Sequence, residues 1–456
     1  MRQRNWTRRE MLGTSLAAIG VAPIVQDPGE RPAKPRGVEV VNPRGRVPVS
    51  LIIDDSTCLV NLAHFAIPQF AEVFPDRYRQ DWKALPREIP DAFVRKFGEW
   101  CHEQGVKGKY SIVPGPACVG WVDRDLPGWS RAELNASLEL VRTLMMPDWD
   151  IHPEMVTHTW AIDTKTGRPY PDRTADFMEN WGFSVGKSAD QLANYLAYAL
   201  RILQNAGLKC EGITTPGGFG NRVLEPLAQA TFESVRDVFQ AEIPHYFRHL
   251  FNDERSVAPR VELASSLEKD PRCVVSIIGC TGDWFGDWDG LTIGRADQFL
   301  TEDGRSGRLA EVIARGEPAI LVGHWPGFYC NGHEDGFAIF REVVGRLNAH
   351  YKNLIWMKTS EIARYWAAKE LTRLSPDAEG EGIGIHAPFA CPAFTLRIRA
   401  ERVGKALSFQ DASRRTEFVE VADKGRLEPG RWARDGADHM LLCFDLPRGR
   451  SRLGWD

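Results

Sequence analysis

Short apolar segments alternate with amphipathic segments over most of this 456-residue chain. About seven apolar runs have the length and continuous hydrophobicity of buried strands. They are VSLIIDD, KGKYSIVP, EMVTHTW, CEGITTPGG, CVVSIIG, PAILVGHW and NLIWMK. Helical patterns such as SADQLANYLAYALRILQNAG separate them, and this alternation is typical of a parallel sheet. We therefore predict an α/β fold over residues 47–372, a (β/α) barrel of about seven parallel strands or, alternatively, a doubly wound sheet.

The segments outside this region differ from it in composition. Residues 26–46 are rich in proline, glycine and charge, which is typical of a linker. Near residue 376 the helical patterns stop, and runs such as FTLRIRAE and FVEVAD follow between turn signals. This change predicts a small β-rich domain over residues 376–456.

The first 25 residues have the layout of an export signal. Thr7 precedes the pair Arg8–Arg9, and a short apolar run follows. This order is typical of a bacterial twin-arginine signal, so we expect the protein in the periplasm or outside the cell. The apolar run is short for a membrane span. No clear small-residue cleavage site follows it, so an uncleaved signal that anchors the protein is an alternative.

Composition indicates which kinds of molecule the protein is expected to bind. The formal net charge is −4, and no stripe of lysine and arginine runs along the chain. We therefore expect no nucleic-acid partner, and no transmembrane span beyond the export signal. Several of the 15 tryptophans lie in loop-like segments such as GDWFGDWDG, where an aromatic ring could stack on a sugar. The sequence does not indicate an oligomeric state.

Polar residues follow directly on the apolar runs. Asp54 and Asp55 follow the first run, and His158, Asp283 and His324 follow later ones. The carboxyl ends of parallel strands meet at one edge of a sheet or barrel, so these side chains are expected to share one site. Two adjacent carboxylates beside a core repel each other and lose water, so a bound cation or a proton-transfer role is the usual reason for them.

These motifs resemble, in order, those of the polysaccharide deacetylases, the NodB-homology carbohydrate esterases. The matching segments are LIIDD, EMVTHT, TTPGG and AILVGHW, and they extend over about residues 48–368. The resemblance implies that Asp54 is the general base and that Asp55 and His158 bind a divalent metal, which we expect to be Zn²⁺. It also implies that His324 is the general acid.

The same resemblance implies the position of the substrate. The third motif of the family implies that the turn containing Thr215, Pro216 and Gly218 shapes the substrate groove. In this chain, threonine stands where the family has arginine. We add three residues as candidate substrate contacts, in the acidic aromatic loop and after the last histidine: Asp283, Trp284 and Trp325.

One ligand of the family is missing from this chain. Ile162 stands four residues after His158, where the resemblance implies a second metal-binding histidine. Asp163 follows, and we expect it to be the third ligand because carboxylates bind zinc. His152 or a water molecule is an alternative.

The expected activity is that of an exported, metal-dependent deacetylase that removes N- or O-acetyl groups from a polysaccharide. A carbohydrate-binding relative with a decayed metal site is one alternative. A glycoside hydrolase is another, although its paired carboxylates would lie about 5–10 Å apart across a cleft.

Overall fold

The computed structural model describes residues 31–265, 270–376, 382–400 and 407–455. The predicted export signal at residues 1–25 lies outside these ranges. Among the described residues, no helix is both long and apolar enough to cross a membrane.

The strands are numbered in chain order. They are β1 Val38–Val40, β2 Val47–Asp54, β3 Gly108–Ser111, β4 Trp149–His152, β5 Ile162–Asp163, β6 Arg168–Pro169, β7 Gly212–Thr214, β8 His245–Leu250, β9 Arg260–Ser265, β10 Arg272–Gly279, β11 Ala319–His324, β12 Leu354–Trp356, β13 Arg373–Pro376, β14 Gly382–Ala387, β15 Cys391–Arg399, β16 Leu407–Gln410, β17 Arg415–Glu417, β18 Val419–Glu420, β19 Arg431–Asp435, β20 His439–Leu446 and β21 Gly449–Trp455.

The α-helices are numbered in the same way. They are α1 Leu62–Val73, α2 Asp91–Glu103, α3 Arg131–Leu140, α4 Ala189–Asn205, α5 Leu224–Phe239, α6 Ala296–Phe299, α7 Arg308–Ala314, α8 Trp325–Tyr329, α9 Asp335–His350 and α10 Thr359–Leu371. Local sequence explains several boundaries, for example a capping box in which Ser188 and Gln191 satisfy each other's backbone N–H groups at the start of α4.

The parallel strands form two sheets. One has the order β11–β2–β3–β4, with β12 also paired to β2, and the other has the order β7–β8–β10–β9. All neighbours in these sheets are parallel except β9, which is antiparallel to β10. The predicted mixed α/β fold with parallel strands is therefore confirmed.

Backbone hydrogen bonds link the two sheets on both sides. Thr214 N donates to Pro153 O at 3.0 Å, and a parallel bridge joins Glu154 to Thr214. On the other side, Cys280 N donates to Ile320 O at 2.8 Å. These links bring the ends of β4 and β7, and of β10 and β11, next to each other. They are isolated bonds rather than ladders, so the closed barrel stays a prediction.

The C-terminal strands form two five-stranded sheets, β1–β15–β20–β19–β18 and β13–β14–β21–β16–β17. Strand β1 comes from the segment predicted as a linker, and its residues pair antiparallel with Leu396–Ile398 of β15. Helix α10 packs between these sheets and the parallel strands, since Tyr365 donates a hydrogen bond to Val41 O at 2.6 Å. One hydrophobic cluster includes residues of α10, the parallel strands and the C-terminal strands.

Candidate metal and catalytic site

Asp54 and His324 lie side by side at the ends of two paired strands. In the parallel register of β2 and β11, His324 is opposite Asp54. The apolar residues before them are buried, so the two strand ends have a fixed position relative to the core. The sequence prediction that strand ends bring polar residues together holds for this pair.

Asp55, Glu154 and His158 form a buried cluster beside this pair. Oδ1 of Asp55 lies 2.8 Å from Nε2 of His158, and Oε1 of Glu154 lies 3.3 Å from the same nitrogen. The second oxygen of Glu154 accepts a hydrogen bond from Asp55 N at 2.8 Å. Asp55 leaves the strand with φ of 60°, a conformation that aspartate adopts more readily than most residues.

This cluster fits a divalent cation. Oδ1 of Asp55 is buried and, among the described residues, has no hydrogen-bond partner; its 2.8 Å contact is with the Nε2 atom of His158. A buried carboxylate oxygen without a donor is costly, and a cation would satisfy it. Two carboxylates and an imidazole are also a donor set that zinc accepts.

The backbone of residues 155–158 is held by Glu179. Its buried carboxylate accepts hydrogen bonds from the N–H groups of Val156, Thr157 and His158, and from the hydroxyl of Tyr195. His158 has φ of 64° in this loop, which costs energy for a non-glycine residue. The hydrogen bonds to Glu179 stabilise that conformation and thereby fix the direction of the imidazole.

The other ring nitrogen of His158 faces Asn180. Nδ1 lies 3.4 Å from Nδ2 of Asn180, and the direction of a hydrogen bond between them depends on the tautomer of the ring and the orientation of the amide. The amide turned with its oxygen towards the ring would accept the Nδ1 proton and leave the lone pair of Nε2 directed at Asp55 and Glu154. Such outer contacts commonly fix the tautomer of a metal-binding histidine.

Asp54 is paired with a buried lysine. Nζ of Lys109 on β3 contacts Oδ1 of Asp54 and also lies 3.1 Å from Ile53 O and 2.8 Å from Ser111 Oγ. Burial raises the pKa of Asp54, and the positive charge of Lys109 acts in the opposite direction. Asp54 is therefore a fixed carboxylate whose pKa depends on burial first, then on the charge of Lys109, and to a smaller extent on Glu154 and His324.

His324 is paired with Asp283. Its Nδ1 lies 2.8 Å from Oδ2 of Asp283, and both side chains are partly exposed. Burial disfavours the charged imidazole, but Asp283 and then Asp55 outweigh it, so the pKa of His324 is raised to about 10. The ring is therefore protonated at neutral pH, as a proton donor requires. Asp283 orients this ring.

The turn after β7 lies next to the cluster. Thr215 N donates to Phe247 O at 3.2 Å, and Gly218 N donates to Asn180 O at 2.6 Å. A Cβ at Gly217, where φ is 46°, would lie 2.8 Å from Asn180 O, so the turn can approach Asn180 closely only with glycine there. Gly218 thus contacts the residue that faces His158, Thr215 and Pro216 precede it in the same turn, and a substrate role for the three stays a prediction.

Asp163 is not part of the metal-binding cluster, in contrast to the sequence prediction. It lies in the short hairpin of β5 and β6, where its carboxylate accepts hydrogen bonds from Lys165 N at 3.0 Å and Thr166 Oγ1 at 3.2 Å. These local bonds stabilise its own turn. Glu154, whose chain direction is fixed by the bridge to Thr214, occupies the position we had expected for Asp163.

Trp325 also differs from its predicted role in substrate binding. It is fully buried, and its ring packs against Phe93, Phe97 and Tyr110. A side chain without exposed surface cannot stack on a sugar. Trp284 is partly exposed and packs edge-on against Phe299, so it is still available for substrate contact.

Three residues that sequence reasoning did not assign are central to the site: Lys109, Glu154 and Glu179. Glu154 had a signal, since it lies four residues before His158 within the quoted motif. Lys109 stands within a run predicted to be a buried strand, where an unpaired lysine is unusual. Glu179 had no such signal, because its role depends on contacts with a loop about 20 residues earlier.

No family model and no curated protein matches the chain. Among solved structures, it is similar to a protein from Mycobacterium smegmatis described as a polysaccharide deacetylase. The identity is 14% and the TM-score 0.43, and the match covers 76% of this chain and 96% of that one. It is also similar to a protein from Pseudomonas aeruginosa PAO1 with the same description. The identity is 12% and the TM-score 0.37, and the match covers 71% of this chain and 91% of that one.

The Puue allantoinase is also similar, with 12% identity and a TM-score of 0.37 over 74% of this chain and 94% of that one. The family that the motifs resemble is thus also found among the similar structures. At these identities and TM-scores the likeness assigns no activity, so a functional conclusion depends on the geometry of the site.

Proposed function

We propose that this protein is an exported, metal-dependent deacetylase of carbohydrates. The observation that carries the proposal is the position of Asp54 and His324, a candidate base and acid, beside the buried cluster of Asp55, Glu154 and His158. A base, an acid and a cation-binding cluster at one place are the groups that hydrolysis of an amide or ester needs.

The residues of the cluster would hold a divalent cation, for which we propose Zn²⁺. When bound there, the cation would lower the pKa of a water molecule and polarise the acetyl carbonyl. Asp55 and Glu154 contribute the carboxylates and His158 the imidazole.

Asp54 and His324 have complementary roles in the proposed reaction. Asp54 takes a proton from the attacking water, and Lys109 holds its carboxylate in place. His324, kept protonated by Asp283, donates a proton to the nitrogen or oxygen that leaves the acetyl group. The released products are acetate and a free amine or hydroxyl on the sugar.

Substitution of the two aspartates separates these roles. Asp54→Asn should lower the rate of acetate release from acetylated oligosaccharides by about 10²-fold or more, and should retain the bound metal. His158→Ala should lose both metal and activity. Asp163→Asn is the matched control, because its carboxylate stabilises only its own turn.

Metal analysis and an assay for acetate and for reducing sugar test the proposal together. Equal loss of metal and activity in the Asp54 variant would contradict the roles assigned to Asp54 and Asp55. Release of reducing sugar without acetate would indicate a glycoside hydrolase, and a purified chain without metal would favour a carbohydrate-binding relative.

We also propose that the protein is exported and that its parallel strands form a closed barrel. The sequence around Thr7 and Arg8–Arg9 supports twin-arginine export, and the isolated bonds between the two parallel sheets support a closed barrel. Cell fractionation of the full chain tests export.

A further inference from the structure

A second buried cluster lies outside the residues proposed for catalysis. Asp150 and His152 are two residues apart on β4 and therefore face the same side of the strand. His245 begins β8. Ligand atoms of all three lie within 4.8 Å of one another, and all three side chains are buried. The proposed reaction gives these residues no task.

Their distances are close to those of a metal site. Nε2 of His152 lies 3.0 Å from Nε2 of His245, and the latter lies 4.0 Å from Oδ2 of Asp150. Two nitrogens bound to one tetrahedral zinc are about 3.3 Å apart, given Zn–N bonds of about 2.0–2.1 Å. To bind one zinc, the two nitrogens would move apart by about 0.3 Å, and His245 and Asp150 would approach each other by about 0.7 Å.

Surrounding groups hold the three ligands in place. Asp150 accepts hydrogen bonds from Ser360 N at 2.6 Å, Ser360 Oγ at 2.8 Å and Thr359 Oγ1 at 2.8 Å, all at the start of α10. Nδ1 of His152, the nitrogen that does not face His245, lies 3.3 Å from Thr214 Oγ1. Metal-binding residues commonly have such supporting contacts.

Glycine leaves room at the ligand atoms. A Cβ at Gly212 would lie 2.6 Å from Nε2 of His152 and 2.6 Å from His245 O. Any other residue at this position would push the His152 ring from its place. The absence of a side chain at Gly212 therefore preserves the approach of the two imidazoles.

The donor types also favour a cation. The hydrogen bonds to Asp150 come from hydroxyl and amide groups, which carry no charge. A buried carboxylate beside two imidazole rings is a donor set that suits a divalent cation.

We propose that Asp150, His152 and His245 bind a second divalent cation, zinc or a similar ion, that connects β4, β8 and α10. Its role is structural, because Asp150 and both histidines are buried and a substrate has no access to them. It joins two parallel strands to the helix that packs against the C-terminal sheets.

The metal content of the purified full chain tests this proposal. After growth with zinc and removal of loosely bound ions, the wild type should hold two equivalents. His158→Ala should retain one equivalent, and His245→Gln should lose one and unfold at a lower temperature. His64→Gln is the matched control, since His64 is a buried histidine hydrogen-bonded to Leu85 O outside both clusters; it should keep two.

The outcomes separate this proposal from the proposed function. If the wild type holds one equivalent of zinc, and His158→Ala loses it while His245→Gln retains it, the second site is overturned and the first remains. If His245→Gln loses that equivalent and His158→Ala retains it, the second site is supported and the first is contradicted. A wild type without zinc would overturn both.

Should His245→Gln fail to fold, X-ray absorption at the zinc edge of the His158→Ala protein answers the question without it. Scattering from two imidazole rings and oxygen is the expected result, because this variant retains only the ligands His152, His245 and Asp150. A spectrum with fewer than two imidazoles would overturn the proposal.

Discussion

Asp54 and Asp55 are neighbours in sequence but have opposite electrostatic surroundings. Burial raises the pKa of Asp54 and is only partly offset by Lys109. For Asp55, burial is outweighed by His158 and His324, so its pKa is lowered. Two carboxylates whose pKa values are pushed apart can take different roles, one as proton acceptor and one as permanent anion. The raised pKa of Asp54 agrees with its proposed role as base.

Replacement of Lys109 by methionine should impair the proposed base. Without the lysine charge, the pKa of Asp54 rises further, so the acidic limb of kcat/KM should move to higher pH. Removal of one partner from a buried ion pair also destabilises the fold by about 3–5 kcal/mol. Because the pKa of Asp54, already raised in the wild type, lies further above its unfolded value in the variant, the variant should lose more stability than the wild type as pH rises from about 4 towards that pKa.

Lys109→Arg keeps the charge and serves as the control. Its pH profile of kcat/KM should be closer to that of the wild type than the profile of the methionine variant is. Its stability should recover less, because a guanidinium is larger than the ammonium group that the buried site holds. Profiles of the metal-loaded variants that coincide with the wild type would contradict the role of Lys109.

At the scale of elements, the candidate metal site depends on a loop rather than on a strand or helix. Residues 155–158 contain two left-handed residues, Met155 with φ of 52° and His158 with φ of 64°. Three N–H groups of the loop share the carboxylate of Glu179. The loop conformation and the direction of the His158 ring therefore depend on one acceptor from another segment.

Glu179→Ala should weaken metal binding at the first cluster by about 10–100-fold, the usual effect of losing a supporting contact. The N–H groups left unpaired should also destabilise the fold by roughly 1–3 kcal/mol. Zinc titration and thermal unfolding of the variant measure both effects.

Glu179→Gln gives a pH control. Burial raises the pKa of Glu179 to about 7, above its unfolded value of about 4.3. The folded state therefore binds the extra proton, and wild-type stability in the absence of metal should fall as pH rises from about 4.3 to 7. The glutamine variant, which cannot ionise, should lose this slope; an unchanged slope would contradict the assignment.

At the scale of the whole molecule, the C-terminal strands share a core with the parallel strands. Phe394 of β15 is fully buried, and its ring lies 6.1 Å from that of Tyr365 on α10 and 5.8 Å from that of Phe444. The same helix begins at Thr359, which contacts Asp150. The packing thus connects the C-terminal sheets to the second cluster.

Phe394→Ala should therefore lower the stability of the entire described fold. A buried phenylalanine replaced by alanine typically costs about 3–5 kcal/mol. We expect one thermal transition, at a lower temperature, in which the near-UV signal and metal release change together. Val419→Ala, at a position 64% exposed in the same sheet, should leave the transition unchanged. Two separate transitions in Phe394→Ala would indicate independent domains.

The sequence alone determined the alternation of strands and helices and the positions of several polar residues at strand ends. Apolar runs of strand length have few other stable arrangements, so the mixed α/β fold and the adjacency of Asp54 and His324 followed from local pattern and motif order. Both features depend on parallel strands, whose carboxyl ends meet at one edge of a sheet.

Tertiary structure alone decided which side chains complete the clusters. Glu154 rather than Asp163 lies beside His158, Trp325 is inside the core, and Lys109, Glu179 and His245 reach their partners from distant segments. A side chain's partner depends on loop conformation and on the packing of separate strands. The spacing of residues along the chain predicts neither of them. A loop shifted by one residue, or a side chain in another rotamer, would meet a different partner although the local sequence pattern is the same.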